Sequence, residues 1–438
     1  MPAIPVALEV KEDAAGRTAL FHSPSQGAFG LAVDGLKAEG GSLEFELPAA
    51  GARFSGRFEA KDGGYAGAWI QGGARLALTL SRPEAGIGLA RPQTPAEPYP
   101  YIVEELSFPG GAPGVTLSGT ITRPDLTNAA ACDTSGGLPL AGLVLVSGSG
   151  PSDRDESIAG HRPYWVLADL LTKAGFAVLR YDDRGVAEST GDHASATSFD
   201  FADDAAAAVA FLRSRPGMWG VPVGIVGHSE GALIASILIG REPKALDFSV
   251  FLGGPAWPGH EILMQQNEAT LKLHGASALA VDVAMKLNRE AYDLILAGGP
   301  DDALEASLRE LFAQGGLPQR AADAQIAAIM SPWFKTFLAL DPAEHLRNSA
   351  SPVLALYGGL DSQVVSPANP DRMRRILATN GNPFTRVLVL EGLNHLLQTA
   401  RTGSVSEYGL IEETISPEAV AAVLKWVAAF AAGDSCPL

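Results

Sequence analysis

Residues 223–236 read VGIVGHSEGALIAS, with Ser229 held between Gly227 and Gly231 and an apolar run on either side. Gly accounts for 49 of 438 residues, so a chance Gly-x-Ser-x-Gly is unsurprising and the weight falls on its surroundings. Residues 223–226 have the continuous apolar character of a strand buried on both faces, and residues 232–239 that of a buried helix. A strand that turns directly into a helix leaves no room for side chains at the two flanking positions, which accounts for the glycines. The serine between them is forced into a strained backbone conformation that lifts its Oγ above the sheet. The N–H of Glu230 then opens a helix whose positive end favours a developing oxyanion. A turn of this kind can also be plain tight packing or a phosphate site, although the latter calls for more glycines or a Lys.

A serine hydroxyl needs a base to become a nucleophile, and the base needs an orienting acid. Where this elbow occurs, the chain order is Ser, acid, His. The downstream histidines are His260, His274, His345 and His395. The first two fall near or inside a helical stretch without strands, and His345 lies in the polar segment DPAEHLRN, as a solvated helix face would. His395 follows the last apolar strand, in VLVLEGLNHLLQ, and is the candidate base. Asp361 follows the preceding strand, in VLALYGGLDSQVVSP, and is the candidate acid. Its competitors are Glu391, at the end of the strand leading to His395, and Asp371, at the start of a predicted helix where it would favour the first turn. A second oxyanion donor is expected in the Gly-rich loop of residues 147–151, with the backbone N–H of Ser149 best placed, although such a turn needs no function. Trp165, Trp257, Trp333 and Phe334 are candidates for lining an acyl pocket, core packing being the plainer explanation. The charged runs at 153–156 and 181–185 follow strands at the same edge and read as loop-locking ion pairs rather than substrate contacts.

Upstream, residues 4–82 carry short alternating runs broken by glycine, among them LEFEL (43–47), ARFSGRF (52–58), YAGAWI (65–70) and ARLALTL (74–80). Period-two alternation predicts a small antiparallel β unit, half-buried on one face, and no pair of residues in it reads as catalytic. The Pro-rich stretch that follows reads as a semi-rigid linker. Beyond it, an alternating strand at 115–122 and apolar strands at 141–147, 176–181, 223–226, 248–252, 353–357 and 386–390 alternate with helical stretches such as 164–174 and 201–213, and a helix at 417–430 closes the pattern. That rhythm predicts a mostly parallel sheet covered on both faces. Between the strands at 248–252 and 353–357 it stops, and Ala- and Leu-rich helical segments take over, which reads as a cap inserted at the C-terminal edge of the sheet. The expected divisions are 1–82 for the β-rich unit, 83–100 for the linker, 101–254 with 346–438 for the α/β unit, and 255–345 for the cap.

The formal charge of −17 speaks against a nucleic-acid partner or an anionic membrane, because affinity for phosphate comes from clustered Lys and Arg. No apolar run approaches the roughly 18 residues that a membrane span needs. The opening residues MPAIPVALEV have neither a basic n-region nor an apolar h-region, which leaves a cytosolic protein or one whose signal has been removed. Cys132 and Cys436 lie far apart and outside any C-x-x-C pattern, so no metal site is expected; one disulfide, pointing to an oxidising compartment, and two free thiols are both open. Oligomeric state is open too, a homodimer included.

Taken in order, SGSGPSDRDES (147–157), LRYDDRG (179–185), GHSEG (227–231), YGGLDSQV (357–364) and LNHLLQ (393–398) resemble the motifs of the α/β-hydrolase superfamily, in particular bacterial serine hydrolases of the esterase and serine-aminopeptidase-like type. The resemblance runs from Tyr101 to the end of the chain. It implies an α/β-hydrolase fold with an eight-stranded, mostly parallel sheet, Ser229 as nucleophile, Asp361 as acid, His395 as base and no cofactor, and the reading it favours is cleavage of a small-molecule carboxylic ester. Two departures stand out: residues 147–149 read Ser-Gly-Ser where many relatives have His-Gly, and the β-rich unit before residue 82 is absent from the minimal fold. Similar proteins often carry a secretion signal, which keeps a periplasmic location open. An amidase or aminopeptidase could use the same triad, because the triad does not encode the leaving group, and a non-catalytic binding protein on this scaffold is the remaining alternative.

Overall fold

A computed structural model of the chain describes residues 6–13, 16–23, 28–61, 63–81, 90–125, 138–347, 349–379 and 381–432. Cys132 and Cys436 lie outside the described residues, as do residues 82–89 of the expected linker. Contacts divide the chain into two compact units: residues 1–92 with 158–161 and 405–412, and residues 93–157, 162–404 and 413–438.

In the first unit, alternating sequence becomes alternating burial. The expected single antiparallel unit is two sheets. One is three-stranded, from β1 (Ala7–Asp13), β2 (Gly16–Ser23) and β3 (Ala28–Ala32). The other is five-stranded in chain order, from β4 (Asp34–Glu39), β5 (Ser42–Leu47), β6 (Ala52–Glu59), β7 (Gly64–Gln71) and β8 (Ala74–Ser81). Two-residue hairpin turns of type I′ need positive φ at both central positions, and Gly40-Gly41 and Gly72-Gly73 supply it. Leu43, Phe45 and Leu47 of β5 and Phe54 of β6 point inward and meet Phe21, whose ring stacks on Trp69 at 5.1 Å. Within the same unit Arg91 donates to the carbonyls of Ile411 and Gly409.

The second unit is built on β9 (Tyr101–Pro109), β10 (Thr116–Pro124), β11 (Gly142–Val146), β12 (Ala177–Tyr181), β13 (Val223–His228), β14 (Ser249–Leu252), β15 (Val353–Gly358) and β16 (Arg386–Leu390). They form one sheet in the order β16-β15-β14-β13-β11-β12-β10-β9, antiparallel only where β10 meets β9 and β12. This is the arrangement of the α/β-hydrolase fold. The edge strand β9 is an addition to the strands expected from sequence. Every residue of β11, β12, β13, β14 and β15 is buried, because helices cover both faces. On one face pack α2 (Ser198–Ser214) and α3 (Glu230–Arg241), and on the other α1 (Pro163–Lys173).

Between β14 and β15 come α4 (Gly259–Leu273), α5 (Ala278–Ala297), α6 (Asp301–Gln314), α7 (Gln319–Ile329), α8 (Pro332–Ala339) and α9 (Pro342–Leu346). Several of these helices share an apolar core of their own, with Tyr292, Leu308, Phe312, Ile326 and Leu338 at its centre. α10 (Ala368–Leu377) and α11 (Pro417–Ala432) complete the two helical layers. Among the described residues no helix is long and apolar enough to cross a membrane.

Candidate active site

β11 pairs with both β12 and β13, so the chain leaves the middle of the sheet in one direction and returns on the other side. Such a reversal opens a crevice at the C-terminal ends of the strands. Register decides what meets there. Val146 lies opposite Gly227, so the loop after β11 and the turn after β13 leave the sheet side by side. A Cβ added at Gly148 would lie 3.2 Å from the Cβ of Ser229.

Ser229 has φ 52° and ψ −117°, a conformation that non-glycine residues rarely adopt. The neighbouring strand holds it there: its N–H donates to the carbonyl of Leu252 at 2.9 Å. A Cβ at Gly227 would run into the backbone of Gly231, and one at Gly231 into the carbonyl oxygen of Val146, so both glycines are steric requirements. Serine is a favoured helix N-cap, yet Ser229, at that position of α3, makes no side-chain capping bond.

His395 belongs to the loop after β16, two strands away from β14 in the sheet. The loop folds back to cover that distance. Leu360 donates its N–H to the carbonyl of Leu393 at 2.9 Å, and Gly358 leaves room for the carbonyls of Leu393 and Asn394. Asn394 and Gln398 lock the turn reciprocally, with two side-chain bonds of 2.9 and 3.0 Å. The ring ends over Gly253, where a Cβ would lie 3.1 Å from its Nδ1. Nδ1 is 2.8 Å from Oδ2 of Asp361, whose other oxygen accepts the N–H groups of Gln363 and Val364, each at 2.8 Å. A carboxylate there accepts the Nδ1 proton and leaves Nε2 as the basic nitrogen. Both side chains are buried, at 4% and 3% exposure for Asp361 and His395.

The competing residues lie elsewhere. His260 faces the carbonyl of Leu338, His274 that of Thr270, and His345 packs against Gly240 of α3. Asp371 pairs with Arg374 in the first turns of α10, and Glu391 is exposed beside Gly359.

Three carboxyl groups grip the loop after β11. The Ser147 hydroxyl and the Ser152 N–H donate to the two oxygens of Asp183, each at 3.0 Å. The N–H of Gly148 donates to Oε1 of Glu156 at 2.9 Å, and the Ser149 side chain bonds the Glu230 carboxyl. Burial pushes Asp183 up to about 8, against the pull of its two donors. Burial also raises Glu230, opposed by bonds from Ser198, Trp333 and Ser149. The flanking charges pair among themselves: Arg154 bonds Asp182, Glu105 and Glu188, Arg180 bonds Asp155, and Arg184 bonds Asp204 at 2.6 Å.

Of the aromatic candidates, Trp333 of α8 meets the elbow, its indole N–H donating to Oε1 of Glu230 at 2.8 Å while its ring stacks on Phe337. Trp257 instead donates to the carbonyl of Ala368 beneath the Arg372 guanidinium, Phe334 packs on Tyr292 in the core of α4 to α8, and Trp165 lies under Arg162. Sequence reasoning missed Glu156, His228 and Tyr164, all buried, and the half-buried Asp183, which bonds the donor loop. One signal was available. His228 is the single charged or strongly polar side chain in the fully buried β13, and such a group must find partners.

Residues 161–295 match the family model described as serine aminopeptidase, S33; the match includes Ser229 and ends before Asp361 and His395. The chain is 26% identical over 311 residues to esterase EstD of Thermotoga maritima, an alignment covering 71% of this chain and 65% of that protein, just short of two thirds of its length. Solved structures with a similar course include an esterase of Pyrococcus furiosus (TM-score 0.43, 16% identity, 75% of this chain and 90% of that one) and a proline iminopeptidase of Mycobacterium smegmatis (TM-score 0.45, 17% identity, 75% and 99%). The resemblance carried by the motifs, to α/β-hydrolases of esterase and serine-aminopeptidase-like type, is thus met by the family and relative matches.

Proposed function

We propose that this chain hydrolyses carboxylic esters through an acyl-enzyme on Ser229. One observation carries the reading: an uncapped, strained serine lies beside the glycine-containing loop after β11, at the sheet end to which a long return loop delivers an Asp-oriented histidine. His395 Nε2 takes the proton as Ser229 Oγ attacks the acyl carbon, and the N–H groups of Glu230 and Ser149 meet the oxyanion. The imidazolium, stabilised by Asp361, then protonates the leaving alcohol, and water repeats the attack on the acyl-enzyme with His395 again as base. This chemistry calls for no cofactor.

Residues 255–345 act as a cap over the crevice, with Trp333 as a wall of the acyl pocket; Trp257 and Phe334 shape that pocket from behind. The family model's description makes aminopeptidase activity the second reading. That activity would use an acidic cap residue to bind an α-amine. Three acidic residues of this segment, Glu261, Asp301 and Asp341, already face His260 and Arg289, Lys335, and Arg372 respectively.

Ser229→Ala is expected to lower turnover of a short-chain nitrophenyl ester by about six orders of magnitude with little change in Tm. Retained turnover, or failure of a fluorophosphonate to label Ser229 in the native protein, refutes the reading. Parallel assays on an aminoacyl anilide separate ester from amide cleavage.

A further inference from the structure

Two histidine–carboxylate pairs stand side by side at this end of the sheet, and the proposed chemistry uses one of them. The other joins His228, the last residue of β13, to Glu156, 72 residues upstream. The rings of His228 and His395 are 4.7 Å apart between centroids. Nδ1 of His228 lies 2.7 Å from Oε1 of Glu156, and Nε2 lies 3.1 Å from the backbone carbonyl oxygen of His395. A carboxylate and a peptide carbonyl are both acceptors, whereas a neutral imidazole has one N–H and one lone pair. Opposite an ionised Glu156 only the imidazolium satisfies both contacts, and turning the ring over would place carbon at each. The Gly148 N–H donates to the same Oε1 at 2.9 Å.

The surroundings agree with a charge pair. Burial works against a charge on His228, but the facing Glu156 carboxylate, the His395 carbonyl and Asp361 together raise its pKa above the ordinary imidazole value. Tyr164 of α1 completes the shell, accepting the backbone N–H of His228 at 3.0 Å and donating to the carbonyl of Val146. Glu156 is also held at φ 53°, and strain of this kind at a buried side chain persists only where its surroundings enforce it.

We propose that Glu156 and His228 form a standing carboxylate–imidazolium pair that positions the catalytic groups, tying the donor loop at Gly148 to the backbone of His395 and lowering the basicity of the catalytic imidazole. The proposal rests on His395 being the base. The sign follows from the charges: a cation beside His395 disfavours its protonated form, so removing that cation lets His395 bind its proton more tightly.

Two measurements on the full chain test this. In the native protein, labelled with 15N-histidine and assigned with His228→Gln, both ring nitrogens of residue 228 are expected to remain protonated at pH 8, and one is expected to lose its proton in Glu156→Gln. A singly protonated ring in the native protein at pH 7 overturns the proposal, whatever the activity. In His228→Gln, kcat/KM for the nitrophenyl ester should fall about 100-fold, mainly through kcat, as for a misplaced catalytic group. The acid limb of its pH profile should move to higher pH; an unmoved limb overturns the electrostatic role. The protonation readout needs no turnover, so it stays informative even if Ser229→Ala shows that the hydrolase reading itself is wrong.

Discussion

The five-stranded sheet and the eight-stranded sheet draw on the same apolar residues but use them differently. Along β6, Ala52 and Phe54 are buried while Arg53 and Ser55 face solvent, so every polar side chain on that strand has water for a partner. Along β13 all six residues are buried, and its one imidazole sits at the strand's C-terminal end, between two acceptors. A sheet with one wet face has no place where a polar group can be kept dry. A sheet covered on both faces has such a place only at its strand ends, where the loops bring partners. Chemistry that depends on desolvated, preorganised groups therefore belongs to the second sheet.

The sharpest way to break this contrast is to remove a carboxylate from each sheet. Asp361→Asn should reduce kcat by about 10⁴-fold, because the amide stabilises the wrong imidazole tautomer. Glu46→Gln, on the exposed face of β5, should leave kcat unchanged. If both variants retain full activity in the ester assay, the assignment of chemistry to the strand ends fails.

Stability comes next in size. Phe54→Ala should cost about 3–5 kcal/mol, and its solvent-facing neighbour Ser55→Ala within about 0.5 kcal/mol. In β13 no such alternation is expected, because Ile225 belongs to the core on one face of the sheet and Val226 to the core on the other. Ile225→Ala should cost about 2–5 kcal/mol, with Val226→Ala close behind it. Hydrogen exchange of the amides in each sheet reads both series, and an even–odd pattern in β13 would contradict two-sided burial.

A smaller, pH-dependent effect sharpens the comparison further. Asp183 has a folded pKa of about 8 against an ordinary value of 3.8, so the folded state binds its proton more tightly than the unfolded chain does. That contribution to stability is fully present below the unfolded value and is lost as pH rises through about 8. Asp183→Asn keeps an uncharged group bonded to Ser147 and Ser152, so its Tm should gain on the native protein's as pH rises over that window. A constant Tm difference across the window would show that Asp183 is charged in both states.

Much of the site was legible because its causes are local. The Gly-x-Ser-x-Gly turn advertises itself, since a strand meeting a helix at that angle excludes side chains on either side of Ser229 whatever surrounds it. Asp361 and His395 could be singled out because each follows a strand whose apolar run is unmistakable. Other features were illegible for an equally physical reason. Alternation shows which face of a strand is buried but not which strand it pairs with, so two N-terminal sheets read as one unit. Glu156 read as part of a loop-locking charged run, and nothing near it in the chain indicated that its partner was His228. Trp257, Trp333 and Phe334 are equivalent as aromatic residues, and packing alone sent one of them to the elbow.

By itself the sequence determined the alternation of strands and helices, the elbow and the candidate residues Ser229, Asp361 and His395, because burial periodicity and steric exclusion act over a few residues. The tertiary structure alone decided that Val146 lies beside Gly227, that the His395 loop folds back over Gly253, and that a second histidine meets a glutamate beneath the donor loop. Those juxtapositions depend on sheet order and register, which contacts between distant segments set together.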